Sequence, residues 1–366
     1  MKKTKKKFRR LLLIILLLLI GYLVLSQTIF KNKEAGKYSK NVFNNISDSL
    51  QDKIKNKDYS KTLEEVILNN KFIEKYLDSY EKIVFLNKDN FIDNINNLLN
   101  KGYTAEEINN IFKLSDEQIK NLLSKDYLNI RDYIEIKNFN INNFERYEKY
   151  RKNHNDELKD IVTYVNIGAD LDPYENTTIT DDANNYLVLV NKFNGIAKDY
   201  KPDDLVAVTG YYQNDVYIRK EAKVALERLQ NAIKEEINTT LLPTTAYRNY
   251  NFQSTLYNNY VAKDGVKNAD TYSARPGFSE HQTGLAIDLK NPKLTNIRLD
   301  EKDYAWVKEN AYKYGFIVRF PKDKEHLTGY QEENWHIRYV GLEAAKIIHN
   351  ENLCLEEYID LYVTKY

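Results

Sequence analysis

The chain has 366 residues, which is enough for one sizeable domain and an additional segment. Its 54 basic and 53 acidic side chains leave a formal net charge of +1, and this balance argues against a nucleic-acid-binding protein, whose surface would be strongly basic. A single cysteine, Cys354, excludes an internal disulfide bond.

The first thirty residues have the pattern of a membrane segment. MKKTKKKFRR carries seven lysines or arginines in ten residues, and an unbroken apolar run follows from Leu11 to Leu25. A basic flank before an apolar run is typical of a segment that enters the membrane with its N-terminus in the cytoplasm. Residues 1–10 are therefore predicted to be a cytoplasmic tail.

Together with Ser26–Phe30, the apolar run is long enough to span a bilayer, and no small-residue cleavage site follows it. An uncleaved anchor over residues 11–30 is therefore favoured over a cleaved signal peptide, and the rest of the chain is predicted to be extracytoplasmic.

Residues 31–155 are predicted to form an all-helical stalk or spacer. Three sequences have the form of capping boxes, in which a hydroxyl residue precedes a Glu or Gln by three positions: Thr62–Glu65, Thr104–Glu107 and Ser115–Gln118. The stretch GYTAEEINNIFKLSDEQIKNLL therefore predicts two short helices joined by a tight turn. A DNA-binding helix-turn-helix is disfavoured, because the stretch has no basic recognition face and is predicted to lie on the outer side of the membrane.

Residues 156–366 are predicted to form an α+β domain with a small, mostly antiparallel sheet flanked by helices. Predicted strands are Ile161–Ile167, Leu241–Arg248, Gly284–Leu289, FIVRF and WHIRYV. Predicted helices are Val216–Ile237, NFQSTLYNNYVAK, a helix that closes at Gly315, and GLEAAKIIHN as the last one.

Four residues of this domain form a candidate metal site. His281 lies just before one predicted strand and Asp288 lies within it, while His336 lies at the start of another, three residues after Glu333. Two imidazoles and a carboxylate suit Zn²⁺, and a second carboxylate can take a proton from an attacking water. Spacing alone does not separate such a site from packed or surface histidines.

Two motifs make the pattern more specific. Ser279-x-His281-x-x-Gly284-x-Ala286-x-Asp288, followed by Glu333-x-Trp335-His336, resembles the signature of the VanY-type D-alanyl-D-alanine carboxypeptidases, within the wider group of lysostaphin-like and D-Ala-D-Ala zinc peptidases. TAYRNYNFQSTLY resembles the upstream Y-R-S-x-x-x-Q segment of that family, although Asn249 stands where the family usually has serine. The similarity extends from about Ile161 to His349.

The resemblance implies a role for each matching residue. His281, Asp288 and His336 would be the zinc ligands, and Glu333 would be the general base and later the acid that protonates the leaving amine. Arg248 would bind the terminal carboxylate of the substrate through a paired, planar contact. The remaining substrate contacts would come from Gln253 and Ser279.

The function that follows is zinc-dependent removal of the terminal D-alanine from peptidoglycan stem peptides by a membrane-anchored enzyme. The resemblance leaves open L,D-carboxypeptidase action on tetrapeptide stems, or endopeptidase cleavage of cross-links. Two non-enzymatic alternatives are a wall-binding scaffold with a vestigial site and a stalk that docks a division or wall-synthesis protein. A vestigial site has no reason to keep Glu333 beside the ligands.

Overall fold

The computed structural model describes residues 38–55, 57–125 and 128–364. The anchor predicted over residues 11–30 lies outside these ranges, and none of the helices within them is both long and apolar enough to cross a bilayer. The chain divides into two compact units, of which the first ends at Glu135 and the second begins at Ile136.

The described part of the first unit is helical. Its α-helices are Lys40–Asn44, Asp48–Ile54, Lys61–Leu68, Leu77–Lys82, Phe91–Asn100, Ala105–Ile111 and Asp116–Ser124. The last two are the predicted helix pair. Both begin with a complete capping box, because the side chains of Thr104 and Ser115 each accept the backbone N–H three residues on, while Glu107 and Gln118 bond back to the cap.

The capping box predicted at Thr62 is wrong. The helix begins at Lys61, and Ser60 is its cap, accepting the backbone N–H of Leu63. Thr62 lies inside the helix, and its hydroxyl instead donates to the carbonyl of Ile83 at 2.7 Å. A buried tertiary hydrogen bond thus replaces the local one that the sequence pattern indicates.

The predicted boundary between residues 155 and 156 falls inside the second unit. The helix Phe144–Arg151 packs against the helix Leu158–Asn166, and both belong to this unit. Asn138 donates to the hydroxyl of Thr163 at 3.0 Å and also to Asp360. These hydrogen bonds connect a residue near the start of the unit with the helix Leu158–Asn166 and with the C-terminal end of the unit.

The second unit is α+β, as predicted. Its strands are β1 Thr178–Ile179, β2 Asn194–Gly195, β3 Leu205–Thr209, β4 Asp215–Arg219, β5 Leu242–Thr245, β6 Ala286–Lys290, β7 Phe316–Phe320 and β8 Glu333–Tyr339. Its remaining α-helices are Lys220–Ile237, Tyr250–Ala269, Glu301–Asn310, Glu325–Thr328, Leu342–Asn350 and Leu355–Tyr358, and a π-helical turn covers Ile359–Val363.

Three predicted elements are corrected. Ile161–Ile167 is not a strand but part of the helix Leu158–Asn166, because Ile161, Val162 and Val165 share one buried helical face. The predicted helix Val216–Ile237 begins only at Lys220, since Val216–Arg219 pairs with β3 as a strand. GLEAAKIIHN is not the last helix, because Leu355–Tyr358 follows it.

One four-stranded antiparallel sheet organises this unit, in the order β5-β6-β8-β7. Side chains alternate between its two faces. Ile287 and Ile337 are paired across β6 and β8, are fully buried, and belong to the main hydrophobic core. That core also contains residues of the helix Lys220–Ile237 and of the helix Glu301–Asn310. The opposite face of β6 and β8 is left for polar side chains.

Candidate metal centre and active site

Strand pairing brings two of the predicted ligands together. Asp288 on β6 is directly opposite His336 on β8, one position along from the Ile287–Ile337 core pair. Residues paired across antiparallel strands point to the same face, so both side chains leave the sheet on the side away from the core. His336 therefore lies within β8 and not at its start.

The third predicted ligand, His281, comes from a short turn before β6. A 3₁₀ turn covers Glu280–Thr283 and ends at Gly284, whose φ is +69°. A Cβ atom at Gly284 would lie 2.8 Å from a methyl carbon of Leu205. Glycine thus allows both the left-handed backbone and the close packing that turn the chain from His281 into the strand that carries Asp288.

The three side chains could hold a metal ion. His281, Asp288 and His336 are all buried, and each offers a ligand atom within 4.8 Å of the other two. The Nδ1 atom of His281 is 2.7 Å from the carbonyl of Ala246, and its Nε2 is 3.4 Å from Asp288 Oδ2. His336 presents Nδ1 to Asp288 Oδ1 at 3.3 Å.

The electrostatics of the cluster also favour a bound cation. Burial lowers the pKa of His281 to about 3, which keeps its imidazole in the neutral form that a metal requires. Burial likewise lowers the pKa of His336, but the carboxylates of Asp288, Glu280 and Glu333 raise it well above its usual value. Asp288 Oδ1 is buried without a hydrogen-bond partner among the described residues. Two imidazoles and a carboxylate in this arrangement match the donor set of catalytic zinc sites.

Glu333 lies beside this cluster. Its Oε2 is 3.2 Å from His336 Nδ1, and its side chain is partly buried, with 15% exposed. Burial raises the pKa of Glu333, and the nearby charge of Asp288 adds to that effect, while His336 opposes it. A carboxylate with a raised pKa is better suited to accept and release a proton near neutral pH.

Arg248 lies on the wall of the same cavity, where the carboxylates of Asp288 and Glu333 interact with it electrostatically. Its Nε is buried without a hydrogen-bond partner, and within the described part of the chain its guanidinium forms no ion pair. Its backbone N–H donates to the carbonyl of His281 at 3.1 Å, which joins it to the ligand turn. A half-buried guanidinium that forms no ion pair is a candidate site for an external anion such as a carboxylate.

The cavity has a volume of about 310 Å³ and lies in the second unit. All seven predicted ligand, catalytic and substrate-binding residues line it: Arg248, Gln253, Ser279, His281, Asp288, Glu333 and His336. The amide nitrogen of Gln253 donates to the carbonyl of Ala274 at 2.7 Å, which leaves its Oε1 buried and without a partner among the described residues. Ser279 precedes the ligand turn, but its hydroxyl does not cap it.

Four charged residues beside the site were not predicted from the sequence. Glu280 lies between Ser279 and His281 and is fully buried, with its carboxylate bound by Arg319 of β7 and Arg338 of β8. Arg319 also binds Glu356. The sequence signal for this group was an arginine in the middle of each of two apolar strands, since a charged residue is rarely buried without a partner.

Three comparisons with known proteins found similar chains. A family model described as "VanY: D-alanyl-D-alanine carboxypeptidase" matches residues 215–342. The Bacillus subtilis (strain 168) protein YodJ is 43% identical over 186 residues, which are 48% of this chain and 67% of that protein.

Solved structures with similar sequences include the LD-carboxypeptidase LdcB, which is 41% identical, with 51% of this chain and 91% of that chain covered and a TM-score of 0.47. A vancomycin-resistance D,D-pentapeptidase VanY, solved in complex with Zn(II), is 34% identical, with 48% of this chain and 98% of that chain covered and a TM-score of 0.43.

Proposed function

Since the chain belongs to the VanY family of D-alanyl-D-alanine carboxypeptidases, we propose that it is a zinc-dependent carboxypeptidase that removes the C-terminal D-alanine from peptidoglycan stem peptides. One observation carries the proposal: the cavity that holds the His281, Asp288 and His336 cluster also holds the carboxylate of Glu333 and the guanidinium of Arg248, whose Nε has no hydrogen-bond partner among the described residues. A peptidase that recognises a free C-terminus needs these components together.

His281, Asp288 and His336 would hold the zinc ion. The donor set is that of a catalytic zinc with one open position, and Zn(II) is also the metal in the VanY structure. When bound, zinc polarises a carbonyl group and lowers the pKa of a water molecule. Contact with the carbonyl of Ala246 holds the His281 ring so that Nε2 faces Asp288.

Glu333 would be the general base. Its carboxylate is next to the ligand cluster, within reach of a water that attacks the substrate carbonyl. After accepting that proton, Glu333 would donate it to the departing amine of D-alanine. The raised pKa that burial produces supports both transfers, because the group must hold the proton between the two steps.

Arg248 would bind the terminal carboxylate of the substrate and thereby set which peptide bond lies over the metal cluster. A guanidinium binds a carboxylate through two parallel N–H···O bonds, which fixes orientation as well as position. Gln253 and Ser279 line the cavity, with Gln253 Oε1 lacking a hydrogen-bond partner among the described residues, and both side chains would hydrogen-bond the substrate backbone.

A mass-spectrometric assay tests this function. The full-length chain in detergent is incubated with a muropeptide that ends in D-Ala-D-Ala and with one that ends in a single D-Ala, with and without a chelator. We expect loss of one alanine from the pentapeptide stem, abolished by chelation and restored by zinc. Cleavage of the tetrapeptide stem alone would keep the site and reassign the enzyme as an L,D-carboxypeptidase.

Two further substrates separate the remaining alternatives. A pentapeptide with an amidated C-terminus should be cut far more slowly than the free acid, because Arg248 would lose its carboxylate partner. Equal cleavage of the amide would contradict the carboxypeptidase assignment. Cleavage of a cross-linked dimer alone would identify an endopeptidase, and binding of zinc without cleavage of any substrate would favour a wall-binding scaffold.

We also propose that residues 11–30 anchor the protein in the cytoplasmic membrane, with the catalytic unit outside. The support is the basic flank followed by the long apolar run in the sequence. Added protease should digest the catalytic unit in intact spheroplasts, and the protein should sediment with membranes.

Removal of residues 38–135 tests the helical region. Surviving peptidase activity with a lost cellular phenotype would assign that region a separate role, such as docking a wall-synthesis protein.

A further inference from the structure

A neutral network of four charged side chains is buried beside the candidate metal centre. Glu280, Arg319, Arg338 and Glu356 are each no more than 4% exposed. Arg319 binds both oxygens of Glu356, at 2.9 and 2.7 Å, and also donates to Glu280 Oε1 at 2.7 Å. Arg338 donates to the same Oε1 at 2.7 Å. Two positive and two negative charges therefore balance within the network.

Main-chain contacts hold the arginine of β8 in place. Arg338 donates to the carbonyls of Tyr186 and Val188 at 3.0 and 2.8 Å, and its Nε donates to the carbonyl of Tyr339. With Arg338 and Arg319 both bound to Oε1, the Glu280 carboxylate has a fixed orientation. Its second oxygen, Oε2, then remains to accept a hydrogen bond from another group.

That second oxygen faces a metal-ligand histidine. Glu280 Oε2 is 3.6 Å from His336 Nε2, and both atoms are buried without a hydrogen-bond partner among the described residues. The other ring nitrogen, Nδ1, faces Asp288 and Glu333. An unpaired acceptor and an unpaired ring nitrogen so close together in a buried site form a hydrogen bond after only a small adjustment.

We infer that Glu280 is a positioning residue for the metal centre: its Oε2 accepts the Nε2–H of His336, which leaves Nδ1 unprotonated and aimed at the metal. Outer carboxylates of this kind fix the tautomer and ring orientation of a ligand histidine. The two arginines orient Glu280, and Glu356 balances their charge. The inference rests on the proposed metal site and does not depend on which peptide is cut.

Two variants of the same network separate positioning from plain structural support. Glu280→Gln keeps the shape and the Oε1 acceptor but places an N–H donor against His336 Nε2, which favours the tautomer with its proton on the metal-facing Nδ1. Glu356→Gln removes the same charge from the same buried network, yet Glu356 does not touch His336. Both variants should lose stability, whereas only the first should disturb the ligand.

The experiment is a zinc titration of the full-length protein and both variants, in competition with a chromophoric chelator and without substrate. We expect Glu280→Gln to weaken zinc binding by about 10- to 100-fold, and Glu356→Gln to stay within about threefold of wild type. Equal weakening in both variants, or none in Glu280→Gln, would overturn the positioning role alone. Failure of the wild-type protein to bind zinc would overturn the proposed metal site and the inference with it.

A measurement on the wild-type protein keeps the inference testable if Glu280→Gln does not fold. Nitrogen-15 spectra of the imidazole rings in the zinc-loaded protein report which nitrogen binds the metal. We expect opposite assignments for the two ligands, with His336 protonated at Nε2 and His281 protonated at Nδ1. A His336 ring bound to zinc through Nε2 would contradict a hydrogen bond from that atom to Glu280.

Discussion

Charged residues are used differently in the helical unit that ends at Glu135 and in the sheet-containing unit that follows it. In the first, ion pairs such as Lys71–Asp93 lie on the surface, with 42% and 54% of the two side chains exposed. In the second, the Arg319–Glu280 pair is buried, with 0% and 2% exposed. Both units have apolar cores, and the buried Glu64 of the first unit pairs with Lys61, whose side chain is 44% exposed.

The contrast indicates that the buried charges of the second unit have a role other than stability. A surface ion pair contributes little to stability, typically between 0 and about 1 kcal/mol. Burying charges is costly, because each must be removed from water, so that a hydrophobic pair of similar volume often serves stability as well or better. Arg319, Arg338 and Glu280 adjoin the candidate metal centre, and the positioning role that we infer for Glu280 would give their burial a purpose that stability alone does not.

The largest expected effect tests the chemistry of the second unit. Glu333→Gln should lower kcat by about 10²–10⁴-fold while zinc stays bound, because the amide cannot accept a proton but keeps the shape of the side chain. Steady-state kinetics with the preferred stem peptide, together with metal analysis of the same sample, check both parts. A variant with near wild-type turnover would remove Glu333 from its proposed role.

The next effect tests the cost of breaking the buried network. Arg319→Met should lower the free energy of unfolding by about 3–5 kcal/mol, because Glu280 and Glu356 both lose a buried cationic partner. Denaturant unfolding followed by tryptophan fluorescence measures the change. A loss below about 1 kcal/mol would mean that the network does not contribute to stability in the way that its burial indicates.

A smaller effect concerns substrate selection. Arg248→Ala should lower kcat/KM for the free-acid peptide by roughly 10- to 100-fold, because charge-assisted hydrogen bonds to the terminal carboxylate are lost. The amidated peptide, which lacks that carboxylate, should be affected much less. Equal losses for the two substrates would show that Arg248 supports the cavity and does not read the C-terminus.

The smallest expected effect is the loss of a surface ion pair in the helical unit. Lys71→Met removes the ammonium that pairs with Asp93 at the surface and should change the free energy of unfolding by no more than about 1 kcal/mol. The same unfolding experiment serves for this variant. A destabilisation as large as that of Arg319→Met would abolish the distinction between the two units.

The sequence could indicate which residues come together at the candidate metal centre because they are concentrated in short motifs. His281 and Asp288 are separated by one turn and the start of a strand, and Glu333 and His336 share another strand. No pattern, however, could specify that Asp288 pairs directly with His336, because the register is set by the whole sheet.

Other features were missed for identifiable reasons. Ile161, Val162 and Val165 are β-branched residues that favour strands by propensity, while their spacing matches one face of a helix, and the burial of that face decided the outcome. Glu280 looked like an ordinary charge beside a ligand, because its partners Arg319 and Arg338 are 39 and 58 residues away in the chain. Contacts over such separations depend on the fold.

Zinc-edge anomalous diffraction from crystals of the zinc-loaded protein tests the central claim most directly. The account predicts one strong peak between His281 Nε2, Asp288 and His336 Nδ1, at about 2.0–2.2 Å from each ligand atom, with Glu333 next to it but not bound. A peak elsewhere, or a zinc ion that takes Glu333 as a ligand in place of one of the three, would contradict the proposed division between metal ligands and general base.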